Sequence, residues 1–173
     1  KLGPSWNSYE EDVSTVVKIG YPKGRRTFYA VVPGARLYQS VDQGKTWTAL
    51  HTKKIGNDWR GEGFELMILA DGAIDPRNGT VYFSYIDMGT FKSSDQGKTW
   101  KQLFAGGHFN GGNAETVAVN PANGEVFVSL DSGKTLSSTN AGWGFAETLD
   151  KKAYQFAFGA DGTVYAAADD GVF

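Results

Sequence analysis

The sequence predicts an all-β fold built from a repeated unit of short antiparallel strands. The motif Ser-Val-Asp-Gln-Gly-Lys-Thr-Trp at 40–47 recurs almost letter for letter at 93–100. A weaker copy, with Asn in place of Asp and Phe in place of Trp, occupies 138–145. Short segments rich in β-branched and aromatic residues precede the copies, and no long stretch shows the 3.6-residue apolar period of a helix.

Each repeat can be divided into four strands. Turn sequences such as Asp-Pro-Arg-Asn-Gly at 75–79 and Asn-Pro-Ala-Asn-Gly at 120–124 separate a first, apolar strand from a second. A small Gly-containing turn leads to the third strand, and the repeated motif leads to an outer fourth strand. Four such strands about every 45–50 residues predict the blades of a β-propeller. The first strands are expected at 13–19, 64–69, 116–119 and 154–158.

The chain contains about three and a half of these units. The segment 171–173 parallels 89–91, which stands just before the second copy of the motif. Because propellers close with about 4–8 blades, we expect a partial ring completed by a remaining propeller half or by a second copy of the chain. The predicted blades are 12–50, 63–103, 113–149 and an incomplete one at 153–173.

The repeated motif resembles the Asp box, or BNR repeat, of sialidases, family-74 xyloglucanases, sortilin-type receptors and a photosystem assembly factor. An aspartate in such a hairpin can accept hydrogen bonds from turn N–H groups, and glycine supplies a positive φ. In the families it resembles, this hairpin lies on the face opposite the active site, so the resemblance implies a structural role. The residues concerned are Ser40, Asp42, Gly44, Trp47, Ser93, Asp95, Gly97, Trp100, Asn140 and Gly142.

The candidate catalytic residues lie in the turns that join second and third strands. Asp87, in Tyr-Phe-Ser-Tyr-Ile-Asp-Met-Gly, resembles the Tyr-Ala-Arg-Thr-Asp-Val-Gly-Gly segment that carries a catalytic aspartate in family-74 glucanases, although Tyr85, Ile86 and Met88 depart from it. The resemblance implies that Asp87 is a general base or its partner. Glycoside hydrolysis generally needs a second carboxyl group about 5 Å away for retention or about 6.5–9.5 Å away for inversion. In family-74 enzymes a second propeller supplies it, and Asp131 is the local candidate.

Two segments between blades combine aromatic and polar residues, as a sugar-stacking platform does. The alternative is that these aromatic residues cap the packing of one blade on the next. The segments are 54–63 and 106–113, and the candidate binding residues are Trp59, Arg60, Glu62, His108 and Phe109.

Composition narrows the classes of partner. With 17 basic and 19 acidic residues, the net charge of −2 argues against a nucleic-acid partner. The absence of cysteine excludes disulfides and thiolate metal sites, and neither histidine has a second ligand at metal-binding spacing, so we expect no metal and no cofactor. No apolar run approaches the roughly 20 residues of a membrane span.

Two functional hypotheses follow from the resemblance. The first is a secreted, carbohydrate-active propeller, a glycoside hydrolase acting on a β-glucan or xyloglucan type of polysaccharide. The second is a non-catalytic propeller that binds glycan or protein, or serves as a scaffold. A sialidase is less well supported, because the Arg-Ile-Pro opening of that family is missing.

Overall fold

The computed structural model describes residues 18–20, 27–32, 36–50, 52–55, 58–61, 69–86, 88–103 and 113–173. In these ranges every regular element is a β-strand, which confirms the predicted all-β class. None of the described residues forms a helix that could span a membrane. The chain divides into two compact units, 1–69 and 70–173.

The first unit contains a four-stranded antiparallel sheet, sheet 1, and a separate two-stranded hairpin. Ala30 and Tyr38 are partners across two neighbouring strands and therefore share a face, where both are buried and Trp47 and Ala49 pack against them. Sheet 1 has the order β1 (Lys18–Gly20), β2 (Phe28–Val32), β3 (Arg36–Ser40), β4 (Thr48–Ala49), and the hairpin is β5 (Thr52–Ile55) with β6 (Asp58–Gly61).

The second unit contains three antiparallel sheets in which sequential strands are neighbours. Sheet 2 is β7 (Leu69–Ile74), β8 (Val81–Tyr85), β9 (Gly89–Ser93) and β10 (Lys101–Gln102). Sheet 3 is β11 (Ala114–Val119), β12 (Val126–Leu130), β13 (Thr135–Ser138) and β14 (Ala146–Leu149). Sheet 4 is β15 (Gln155–Phe158), β16 (Val164–Ala168) and β17 (Gly171–Val172).

The core of the second unit lies between successive sheets. Strands β8 and β12 are buried along their whole length, as expected for strands covered on both faces. Tyr82 of sheet 2 packs in one cluster with Val117 and Val128 of sheet 3. The ring of Phe127 lies 5.5 Å from that of Phe156 in sheet 4, measured between centroids. The three sheets therefore pack in sequence, as neighbouring propeller blades do.

Antiparallel pairing places the turns of these sheets at two opposite ends. The motifs at 93–100 and 138–145 lie at one end, which we call the hairpin end. The turns between β8 and β9, β12 and β13, and β16 and β17 lie at the other, which we call the loop end. The turns that contain the candidate catalytic residues Asp87 and Asp131 belong to the loop end.

Two expectations about strands were wrong. The first strand of sheet 2, expected to end at residue 69, continues from Leu69 to Ile74, and 64–68 lie outside the described residues. Asp71-Gly72 has the composition of a turn, yet the Asp71 carboxylate accepts hydrogen bonds from the N–H groups of Gly72 (2.8 Å) and of Val117 in sheet 3 (3.2 Å). The segment 54–63, expected to be a loop, contributes to the β5–β6 hairpin.

Candidate functional site

The motif at 93–100, hairpin B, is held together by the side chain of its own aspartate. The Asp95 carboxylate accepts hydrogen bonds from Thr99 N (2.9 Å) and Thr99 Oγ1 (2.6 Å). Ser93 Oγ donates to Asp95 Oδ1 (2.8 Å) and accepts a bond from Gly97 N (2.8 Å). Trp100 Nε1 closes the turn by donating to Gly97 O at 3.2 Å.

Hairpin A, the copy at 40–47, repeats this network. Asp42 accepts bonds from Thr46 N (2.9 Å) and Thr46 Oγ1 (2.7 Å), and Trp47 Nε1 donates to Gly44 O (3.1 Å). The bonds from the threonine side chain and backbone lower the pKa of Asp42, and likewise of Asp95, to about 2. Both carboxylates are thus engaged within their own hairpins, an arrangement that stabilises a turn.

At the loop end of sheet 3, Asp131 is clamped by a single residue. Its two carboxylate oxygens accept hydrogen bonds from Asn113 N and Asn113 Nδ2, both at 2.8 Å, and its own N–H donates to Asn113 O at 3.0 Å. These bonds fasten the β12–β13 turn to the residue that precedes β11. Asp131, the candidate second catalytic carboxyl group, therefore stabilises a turn in this structure.

Near this clamp lies an exposed aromatic residue that falls within the first strand predicted at 154–158. Tyr154 precedes β15, is 51% exposed, and donates its hydroxyl hydrogen to Asp169 Oδ2 at 3.0 Å. Lys152 Nζ lies 4.9 Å from the centroid of the tyrosine ring and forms an ion pair with Glu115. Ring, carboxylates and ammonium group thus meet at the loop end of sheets 3 and 4.

The charges around Tyr154 are arranged in pairs. The bond to Asp169 raises the pKa of Tyr154, and the bond to Glu115 raises the pKa of Lys152, so the phenol stays protonated and the amine charged near neutral pH. Lys151 Nζ lies 2.6 Å from Asp170 Oδ2 and lowers the pKa of that carboxyl group. The cluster can donate and accept hydrogen bonds around an aromatic ring, and the phenol acts as a donor rather than a base.

The remaining candidate residues are less fully described. Asp87, Glu62, His108 and Phe109 lie outside the described residues, although Ile86 and Met88 on either side of Asp87 belong to the loop end of sheet 2. Trp59 and Arg60 lie in β6, opposite Lys54 and Lys53 respectively. Within the part of the chain that the structure describes, no group of three or more histidine, cysteine and acidic residues could hold a metal ion.

Known proteins resemble this chain in structure. YCF48 bound to D1 peptide aligns at 12% identity and a TM-score of 0.63, over 91% of this chain and 49% of that one. A family-74 xyloglucanase from Xanthomonas campestris aligns at 17% identity and 0.65, over 94% and 28% respectively. An auxiliary nutrient-binding protein from Bacteroides thetaiotaomicron aligns at 12% identity and 0.62, over 88% and 36%.

These likenesses establish the fold. The similar structures are β-propellers, so the chain forms part of a propeller of four-stranded antiparallel blades, with about three and a half blades present. It spans about half or less of each of the three proteins. No protein-family model and no curated protein matches the sequence.

Proposed function

We propose that this chain belongs to an extracellular propeller that binds glycan, of the β-glucan or xyloglucan type, at the loop end of its blades. The observation that carries the proposal is Tyr154, a half-exposed aromatic ring in contact with Asp169 and Lys152. Hexoses present C–H groups on one face and hydroxyl groups around the rim. An aromatic ring with neighbouring carboxylates and an ammonium group matches both features.

Binding is better supported than hydrolysis by the described residues. Both oxygens of Asp131 already accept hydrogen bonds from Asn113, so this carboxylate positions a turn. The ion pairs of Lys151 and Lys152 likewise place the flanking carboxylates in fixed positions, suitable as acceptors for sugar hydroxyls. The three similar structures include one named as an enzyme and two named for what they bind, which is consistent with either role.

The test is oligosaccharide affinity in three tyrosine variants, measured by calorimetry with xyloglucan and mixed β-glucan oligosaccharides. Tyr154→Ala should weaken binding about tenfold, and Tyr154→Phe should keep most of the affinity because the ring remains. Tyr165→Ala is the matched control: Tyr165 is 48% exposed but lies within β16, away from the loop end. Unchanged affinity in Tyr154→Ala, or an equal loss in Tyr165→Ala, would contradict the proposal.

Catalysis by Asp87 is the alternative proposal. If the intact protein hydrolyses these oligosaccharides, Asp87→Asn should remove most of the turnover, because an amide cannot accept the proton of an attacking water. Affinity should survive in that variant. Full turnover in Asp87→Asn would exclude this aspartate as the base. If the unaltered protein shows no turnover, glycan binding remains as the proposed function.

A peptide is the second candidate class of ligand. It is favoured by a single observation, the likeness to a propeller that is bound to a peptide. Peptides with acidic and basic ends, included in the same calorimetric screen, separate the two classes. Peptide affinity that depends on Tyr154 in the absence of glycan affinity would favour the second class.

A further inference from the structure

Trp143 is the most exposed aromatic side chain among the described residues. It lies in the motif copy at 138–145, hairpin C, and is 60% exposed. At the corresponding position hairpin A has Lys45 and hairpin B has Lys98, both exposed. The third copy therefore carries a large apolar ring in solvent where the other two carry a charge that water solvates well.

Two lysines of sheet 2 converge on this ring. Lys92 and Lys101 are directly opposed on β9 and β10, and their Nζ atoms lie 4.5 Å and 5.1 Å from the centroid of the Trp143 ring. Opposed residues point to the same face of a sheet, so both lysine side chains extend from one face of sheet 2 towards the indole. Cation–π attraction holds the ring beside them, and the side chain remains 60% exposed.

A pair of like charges at this register is particular to sheet 2 among the four-stranded sheets. The corresponding pair is Gln39 with Thr48 in sheet 1 and Ser137 with Ala146 in sheet 3. Directly opposed like charges destabilise a sheet. The pair of lysines thus occurs in sheet 2, next to hairpin C with its exposed Trp143. Repulsion between the two lysines does not stabilise the sheet.

The positive charge of this patch is not neutralised by the described carboxylates. Lys92 is 8% exposed and donates to Ala141 O at 2.9 Å, whereas Lys101 is exposed. Among the residues that the structure describes, neither ammonium group forms an ion pair with a carboxylate. Burial, and then the charge of Lys101, lower the pKa of Lys92, which is the direction expected for two cations held close together.

We propose that Trp143, with Lys92 and Lys101 beside it, is a binding site for an anionic glycan, separate from the loop-end site. A hexuronate residue carries its carboxylate directly on the sugar ring. Its C–H face can stack on the exposed part of the indole while the carboxylate reaches Lys101 Nζ, so that one residue makes both contacts. An acidic peptide has no flat apolar face fixed next to its charge and fits the patch less well.

The experiment measures affinity of the intact chain for oligogalacturonate by calorimetry, at low and high salt. Trp143→Ala and Lys101→Gln should each weaken binding about tenfold, and added salt should weaken binding to the unaltered protein. Lys45→Gln is the matched control, because it removes one lysine charge from hairpin A, at the position that Trp143 occupies in hairpin C. Thermal unfolding of the free variants should be unchanged, or raised for Lys101→Gln, since that substitution removes a repulsion.

Three outcomes would overturn the proposal. One is wild-type affinity for oligogalacturonate in Trp143→Ala. A second is poly-glutamate binding that is as tight as oligogalacturonate binding and equally sensitive to both substitutions, which would assign the patch to acidic peptide. The third is equal affinity for a neutral glucan oligosaccharide, which would remove the role of the lysines.

Discussion

Hairpins B and C have the same backbone course but are held together differently. Both contain a residue at positive φ before their glycine, Gln96 at 66° and Ala141 at 58°. In both, serine accepts a bond from the glycine N–H, and an Asp or Asn oxygen accepts one from the residue four positions on, at 2.9 Å. Hairpin C lacks the threonine hydroxyl bond and the indole N–H bond that complete hairpin B.

The difference shows which parts of the motif the turn requires. One side-chain oxygen and one serine hydroxyl are enough for the backbone to turn, since Asn140 and Ser138 supply them in hairpin C. The carboxylate charge, the threonine and the tryptophan of hairpin B are additional contacts. At the position where hairpins A and B have an exposed lysine, the third copy places a different side chain, Trp143, in solvent at the hairpin end.

The largest expected effect comes from adding a methyl group to the glycine of hairpin C, with the glycine of hairpin A for comparison. Gly142→Ala should lower the free energy of unfolding by about 2–4 kcal/mol, because φ is +86° and the new Cβ would lie 2.5 Å from Leu103 Cδ1. Gly44→Ala has the same backbone strain at φ +87°, but its nearest contact is 3.7 Å away, so about 1–2 kcal/mol is expected. Denaturant unfolding measures both, and equal losses would show that Leu103 does not confine Gly142.

A smaller effect should follow when hairpin B is given the aromatic residue of hairpin C. Trp100→Phe removes the N–H donor that bonds Gly97 O at 3.2 Å and should cost about 0.5–1.5 kcal/mol in unfolding free energy. Trp47→Phe removes the equivalent 3.1 Å bond and should cost a similar amount. Unchanged unfolding midpoints in both variants would mean that these bonds add nothing to the packing of the rings.

The smallest effect is expected from the Asp95 carboxylate, because it appears only at acid pH. The pKa of Asp95 is lowered from 3.8 to about 2, so its contribution to stability is present above pH 3.8 and is lost as the pH falls towards 2. The amide signal of Thr99 should titrate with a midpoint near pH 2, whereas that of Gly144, bonded to the uncharged Asn140, should not move. Asp95→Asn should abolish the Thr99 transition, and a midpoint near 3.8 in the unaltered protein would contradict the hydrogen-bonded arrangement.

Most of the fold could be predicted from local signals, and the misses have identifiable causes. The repeated motifs and Asn-Gly turns locate the strands of sheet 3 closely. Strand β7 was misplaced because Asp71-Gly72 looks like a turn, and the bond that anchors the strand is donated to the Asp71 carboxylate by Val117 N in the neighbouring sheet. The β5–β6 hairpin was missed although Gly56-Asn57 between its strands is itself a hairpin signal.

The candidate site was harder to predict, because it depends on which side chains meet across sheets. Tyr154 stands next to an apolar strand and its sequence context favours burial; only the structure shows it at the loop end with Asp169. Asp131 was the local candidate for a second catalytic carboxyl group, and its bonds with Asn113 join residues that are 18 positions apart in sequence. Aspartates in glycine turns are therefore ambiguous until their partners are known.

The most direct test of glycan binding at the loop end is an amide chemical-shift titration of the intact chain with a neutral xyloglucan oligosaccharide. The shifts should concentrate at Asn113, Asp131, 151–154 and 169–171, where the described charges surround Tyr154. Signals from 138–145 should stay in place, since a neutral sugar has no charge for Lys101. Shifts confined to the hairpin end, or none at the loop end at saturating oligosaccharide, would contradict this account.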